Sequence, residues 1–418
     1  MHPFSTSSLS LSACLSTLFQ KRKCLFFALF LAAPHFASAL DYYWVGGSGN
    51  WSDYQNHWAT TASGGTFHLN VPTASDDVYF TANGGTPYIV FVNAASTVPK
   101  CKNMDWSAAP NGTVWHGDAT GRLDIYGSLL LDAGMSFTFP GEIHFIAFGS
   151  ASTITSNGIQ FQYPCNLFFE GTTGGWLLND ALFAGNNITH TGGTLMTNGK
   201  TVSVGNFFQG NSPGRLELGD SDFINYGGTT GFHYAPADFD AGTSHVICHS
   251  TGYVEGGFLG NSGSHFYDVT FTANANGFAF GNVDGTLKFE GFGRLHGYNV
   301  LTPPVLNNVI FEEGGWIYNA FDYNHLTLTA GKTYTIEQYS SPIGTTQTIL
   351  PGGSVTANSG TTCNDFITIK SWSFGTPINF VNNSGSNITV TGVALEYVQA
   401  SGTNSLINDY GLDLGGST

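Results

Sequence analysis

Along most of this chain apolar and polar residues alternate in short runs, as in "RLDIYGSLLL", "IHFIAF", "TVSVGNFF" and "TLKFEGF". The runs are rich in β-branched and aromatic residues, and Gly, Asn, Ser and Thr separate them. A period of two with such punctuation predicts strands, each turning one face inward. No long stretch places apolar residues at i, i+3, i+4 and i+7, so helices are not predicted.

The runs recur as motifs. One reads apolar-x-Ala-Gly-x-Ser/Thr-aromatic-x-apolar: "LDAGMSFTF" from Leu131, "FDAGTSHVI" from Phe239, where His245 takes the aromatic place, and "LTAGKTYTI" from Leu328. Its glycines, Gly134, Gly242 and Gly331, stand 108 and 89 residues apart, near multiples of about 22. A second motif is apolar-x-Phe, then Glu or Thr and a Gly-containing turn: "VYFTANGG", "LFFEGTTGGW", "VTFTANANGF" and "VIFEEGGW". Two copies continue into Gly-Gly-Trp, at Trp176 and Trp316. Short repeated strands with Gly or Asn at the corners predict an all-β solenoid of stacked coils, about eleven of them between residues 116 and 370. The competing architecture is a string of β-sandwiches. Asn-Gly at 111–112, 157–158, 198–199 and 276–277 favours it, because that pair is a strong hairpin signal.

Residues 1–39 read as a secretory signal peptide. Lys21, Arg22 and Lys23 precede the apolar run "CLFFALFLAA", and Ala37-Ser38-Ala39 is a small-x-small cleavage site. "LSAC" at 11–14 imitates a lipoprotein box but precedes the basic cluster, so lipidation is not expected. No later stretch is apolar enough to span a bilayer. Cleavage leaves Leu40 first and moves the formal charge from −16 to about −19. That acidity excludes nucleic acid and anionic membrane as natural partners. Gly, at 55 of 418 residues, is nearly twice its usual ~7 %, which also disfavours helix.

Four cysteines remain after the leader: Cys101, Cys165, Cys248 and Cys363. Export permits two disulfides. Their lack of C-x-x-C spacing argues against zinc, and their apolar strand-like settings predict small buried core residues.

"YYWVGGSGNWSDYQNHWA", "VPTASDDVYF", "CKNMDW", "LDIYGSLLL" and the Ala-Gly repeats together resemble secreted surface proteins of Bacteroidetes-type bacteria. The resemblance runs through "CNDFITIKSWSFGTPINF" to "INDYGLDLGGST" and implies a right-handed parallel β-helix of the pectin-lyase-like kind. Many similar proteins continue into further modules and a sorting domain for type IX secretion. The implied organisation is a cap and first coils over 40–115, repeats over 116–370, and last coils over 371–418, truncated or leading into another module. Trp44, Trp51 and Trp58 then have two readings. They are a binding platform for sugar, or an apolar plug on the open end of the stack; the plug is the favoured one.

Candidate chemistry is sparse. "HYAPADFDAGTSHVICHS" holds His233, Asp238, Asp240, His245 and His249, of which Asp238, Asp240 and His245 are the candidate metal ligands. Yet Asp240 lies in the Ala-Gly repeat, where its counterpart Asp132 has no His nearby, so scaffold is the simpler reading. Alternation puts His245, Ile247 and His249 on one face, Val246 and Cys248 on the other. Asp220 and Asp222 in "LELGDSDF" are the candidate catalytic pair: i and i+2 on a strand lie ~6.6 Å apart, within the range a glycosidase needs. Gly-Asp-Ser-Asp is equally turn chemistry. Asp118 and Asp124 surround Arg122, the nearest approach to a lyase constellation. Asp76 and Asp77 suggest calcium at the cap, or a turn with exposed acids. The sequons at Asn187 and Asn387 are expected to be idle. No P-loop is present.

These readings favour a secreted or cell-surface, adhesin-like solenoid without catalysis, whose polar wall meets polysaccharide or cell-surface proteins. No cofactor is required. The alternatives are a glycosidase or lyase on the same scaffold, and a carbohydrate-binding module using exposed aromatics.

Overall fold

A computed structural model describes residues 39–418 apart from positions 86, 94–96, 147, 150–151, 211–212, 228–230, 235–238, 250–252, 256–264, 274–275, 280, 298–301, 340–343 and 360–361. Leu40–Thr418 form one compact unit. Helix within it, among the described residues, is limited to one turn at Tyr54–His57 and two 3₁₀ turns.

The unit is a parallel β-helix. Successive strands visit different faces and pair with the coil before and the coil after. A first sheet has ten strands, from the N-terminal edge at Trp58–Ala59 to Phe239–Asp240; a second has 15 and a third 13. A four-stranded sheet, ending at Ser136–Phe137, takes the place of the third sheet in the earliest coils. The two are separate sheets, yet the rings of Phe137 and Phe161 still meet at 5.0 Å.

Register makes the core. On the second sheet Leu123 pairs with Ile143, then Leu167, Ile188, Phe208, Phe232, Val254 and Phe278 in turn, all fully buried. The step is about 22 residues, as the motif spacing predicts. On the third sheet Phe271, Phe289 and Phe311 stack at 5.1 and 4.7 Å with interplanar angles of 6° and 15°. Like side chains on neighbouring coils thus form continuous apolar ladders between paired backbones.

The corners carry the polar economy. Before the second sheet, Asn186 and Asn187 donate to Asn166 Oδ1 at 2.8 and 3.1 Å, and Asn206 donates to Asn187 Oδ1 at 2.9 Å. Beside this ladder Gly185, Gly205 and Gly227 stack so closely that a Cβ on Gly205 would sit 2.2 Å from the Gly185 carbonyl oxygen. The Asn-Gly pairs at 157–158 and 198–199, both with positive φ, turn corners between parallel strands rather than hairpins. That removes the support they gave to sandwiches.

The coils are not uniform. After Phe239–Asp240 the first sheet gains no further strand among the described residues, and the third-sheet strands lengthen to 8, 7, 8 and 11 residues at Asn282–Phe289, Val305–Phe311, Phe321–Leu328 and Gln347–Ala357. The front of Asn282–Phe289 pairs with His265–Phe266 and its rear with Asp268–Phe271, across a register shift between Val283 and Thr286. One corner has opened into a bulge. Coils then shorten: Leu295 follows Phe278 by 17 residues.

At the N-terminal end Trp58–Ala59 runs antiparallel to Asp41–Trp44 and covers the edge of the first sheet. Trp44, Trp51 and Trp58 are fully buried, with Trp44 and Trp51 each edge-on to Trp58 at 4.9 Å. Trp44 Nε1 donates to the Gly47 carbonyl at 2.9 Å and Trp58 Nε1 to the Trp51 carbonyl at 2.8 Å. The aromatic column continues through Phe80 to Trp106, whose rings stack at 3.6 Å. This is the aromatic, Gly-rich cap.

Candidate functional site

Of the sequence-derived candidates Arg122 and Asp124 meet, whereas Asp220 and Asp222 do not form a pair. Asp222 opens the strand Asp222–Asn225, but Asp220 lies in the turn before it, so the two do not share a strand face. Between them Ser221 is fully buried, bonded to Thr197 Oγ1 at 2.6 Å. Asp222 instead approaches His245, its register partner on the next coil, at 4.0 Å. His245 Nε2 meets Thr270 Oγ1 at 2.8 Å, and His249 Nδ1 meets Thr272 Oγ1 at 2.9 Å. Val246 and Cys248 point inward, as alternation predicts. Asp238 lies outside the described residues. Asp240 accepts from Gly242 N at 3.0 Å, and Asp132 from Gly134 N at 2.8 Å, the same turn in both repeats. Among the described residues no group of three or more His, Cys, Asp or Glu is arranged to hold a metal ion.

One expectation needs correction. Asp76 is not an exposed turn acid: it is 4 % exposed and accepts from Leu40 N, Thr73 N and Thr73 Oγ1 at 2.9, 2.8 and 2.6 Å. Asp77 accepts from the Asn103 side chain at 2.8 Å. Both carboxylates fasten the first coils to one another. Trp44, Trp51 and Trp58 have no exposed face on which a sugar could stack.

Cys101, Cys165 and Cys248 are buried, and burial pushes the Cys101 and Cys165 thiols up, out of the reactive range. The side chain of Cys363 lies outside the described residues.

The densest polar cluster is on the outer wall of the second sheet, where Arg122–Ile125, Glu142–Ile146 and Asn166–Glu170 lie side by side. Parallel register sets Glu142 against Arg122 and His144 against Asp124. Arg122 Nε donates to Asp124 Oδ1 at 2.6 Å, with its Nη2 3.9 Å from Glu170. His144 Nδ1 lies 2.9 Å from Glu170 Oε2 and Nε2 lies 3.2 Å from Glu142 Oε2. The imidazole also stacks on Phe168 at 4.3 Å. Asp118 stands apart, its carbonyl closing the turn onto Gly121 N at 2.9 Å.

The cluster has acid, imidazole and guanidinium, the parts of acid–base catalysis. Its geometry turns them on one another. Asp124 and His144 are 5 % and 4 % exposed, both ring nitrogens of His144 are taken by carboxylates, and only the outer edges of Arg122, Glu142 and Glu170 meet solvent. The signal for it was present as Arg-x-Asp and Glu-x-His one coil apart, but only the register shows that these pairs are adjacent.

No protein-family model, curated protein or solved structure matches the chain. No helix among the described residues is long and apolar enough to cross a membrane.

Proposed function

We propose that this chain is an exported, non-catalytic β-solenoid, structural or adhesin-like, presenting its polar wall at the cell surface to glycans or partner proteins. The observation that carries the reading is the closed cluster around His144. Its two buried groups, Asp124 and His144, are bonded to Arg122, Glu142 and Glu170, and only those last three meet solvent. A general acid or base must come within hydrogen-bond reach of the proton it moves, and neither Asp124 nor His144 offers an open face. The leader read at residues 1–39 and the resemblance to exported surface proteins support placement outside the cell. The acidic balance of the chain suits a solvated wall.

The test is incubation of the chain from Leu40 with soluble and insoluble polysaccharides, following new reducing ends and unsaturated products. No release is expected, and Glu142→Gln and Glu170→Gln should change nothing in that assay. Product release that disappears in those variants would make the cluster an active site and overturn the reading.

A further inference from the structure

The chain has eight tryptophans. Six of them, Trp44, Trp51, Trp58, Trp106, Trp115 and Trp176, are wholly buried. The other two, Trp316 and Trp372, meet on the outer wall of the second sheet, with ring centroids 4.7 Å apart and planes inclined at 45°. Register explains the meeting. Trp316 pairs with Thr335, and Thr335 is flanked on the next coil by Thr368–Ser371, the strand that Trp372 directly follows. The indoles therefore reach across an intervening strand. Thr335, between the core residues Tyr334 and Ile336, is left only 4 % exposed beneath them.

Two further rings extend the patch. Tyr318 lies 5.6 Å from Trp316, and Tyr339 lies 6.0 Å from Tyr318. Tyr339 and Trp372 are 53 % and 55 % exposed. The backbone under Tyr339 is fixed: the wholly buried Asn319 donates to its carbonyl at 3.0 Å and accepts from its N–H at 2.7 Å. The backbone that carries the ring is thus already ordered before a ligand arrives.

Polar groups converge beside the rings. A cavity of about 300 Å³ is lined by Gln338, Thr345, Ser371, Ser373, Thr376 and Ile378. Gln338 precedes Tyr339, and Ser371 and Ser373 flank Trp372, so the same segments carry the aromatic faces and the hydrogen-bonding groups. Charge nearby is balanced: Lys370 pairs in register with Glu396, and Arg294 and Glu337 lie along the same wall. Exposed rings with an apolar face, neutral hydroxyl and amide groups, and no net charge match a pyranose, which has an apolar C–H face and a rim of hydroxyls.

We propose that Trp316, Tyr318, Tyr339 and Trp372, with the adjoining cavity, form a binding site for a neutral polysaccharide. Sugar units stack on Trp372 and Tyr339, and their hydroxyls enter the cavity. This names the ligand of the surface role proposed above and rests on that role only for the meeting with glycan.

The experiment is affinity electrophoresis of the chain from Leu40 in gels containing xylan, mixed-linkage β-glucan or galactomannan, with pull-down on insoluble cellulose. At least one neutral polymer should bind, with little dependence on salt. Trp372→Ala and Tyr339→Ala should each weaken binding about tenfold or more, while Tyr226→Ala, on another wall, leaves it unchanged. All three variants should keep the thermal midpoint. Saturating glycan should also protect tryptophan fluorescence from acrylamide, since Trp372 is the exposed indole.

Failure of all four polymers to bind overturns the proposal, as does retention only of a polyanion such as alginate that salt releases. Undiminished binding by the Trp372→Ala/Tyr339→Ala double variant also overturns it, while leaving the wider glycan-facing role intact. Product release would instead count against the non-catalytic reading alone.

Discussion

Asp76 keeps its carboxylate out of water by accepting three hydrogen bonds, one of them from Leu40 N at 2.9 Å. In a chain that begins at Leu40 that amide is an ammonium facing a buried carboxylate. Replacing Asp76 then removes the charge partner of that part-buried ammonium together with its hydrogen bond. Asp76→Asn should therefore lower the urea midpoint of the chain that starts at Leu40 more than that of a chain still carrying residues before Leu40. A second residue adds a sensitivity to acid. Burial holds His190 down at about 4, against 6.5 in an open chain. Between those values the unfolded state takes up a proton that the folded state refuses, so stability is full above about 6.5 and falls as the pH drops toward 4. His296, half-buried and close to the Arg294 charge, is lowered to about 4 as well. His190→Gln should flatten the fall in urea midpoint between pH 6.5 and 4.5 by up to one proton's worth of slope. At this scale the sequence was readable where alternation alone decides: Cys101, Cys165 and Cys248 point inward as their runs imply. It was unreadable where the partner is remote, because nothing near Asp76 announces Leu40, 36 residues away.

The strands and corners are where motif and structure part company. The Ala-Gly motif at Gly134 and Gly242 turns the chain off the first sheet, yet at Gly331 it leads from the third sheet to the second. Gly-Gly-Trp at Trp176 enters the first sheet and buries its indole; at Trp316 it enters the second and leaves the indole outside. Both motifs encode a corner, a strand end and a tight turn, without encoding which corner. The solenoid was therefore legible from their recurrence. The change of cross-section beyond Asp240 was not, since it depends on two strand segments fusing across a bulge, and neither was the aromatic wall that follows from it. The corner at Gly185, Gly205 and Gly227 is unforgiving, because a Cβ on Gly205 or Gly227 would meet the carbonyl oxygen of the coil before, and one on Gly185 the backbone nitrogen of Tyr163. Gly205→Ala places a methyl 2.2 Å from a backbone oxygen that the paired strands hold in place. A loss of about 2–3 kcal/mol by urea unfolding is expected, with strain rather than a missing contact as its cause.

Residues 40–418 form a stack in which backbone pairing joins each coil to its neighbours, so its stability is close to a sum over coils and their interfaces. The pairing of Trp58–Ala59 against Asp41–Trp44 stops that addition at one end. Its direction also has a mechanical meaning. The interstrand hydrogen bonds run along the stacking axis, so a pull between the two ends of the column loads them one coil at a time, and the structure peels. A tug across the wall, as from a tethered surface ligand, loads many of them side by side, and the same structure holds. A protein built this way is weak as a rope and strong as a post.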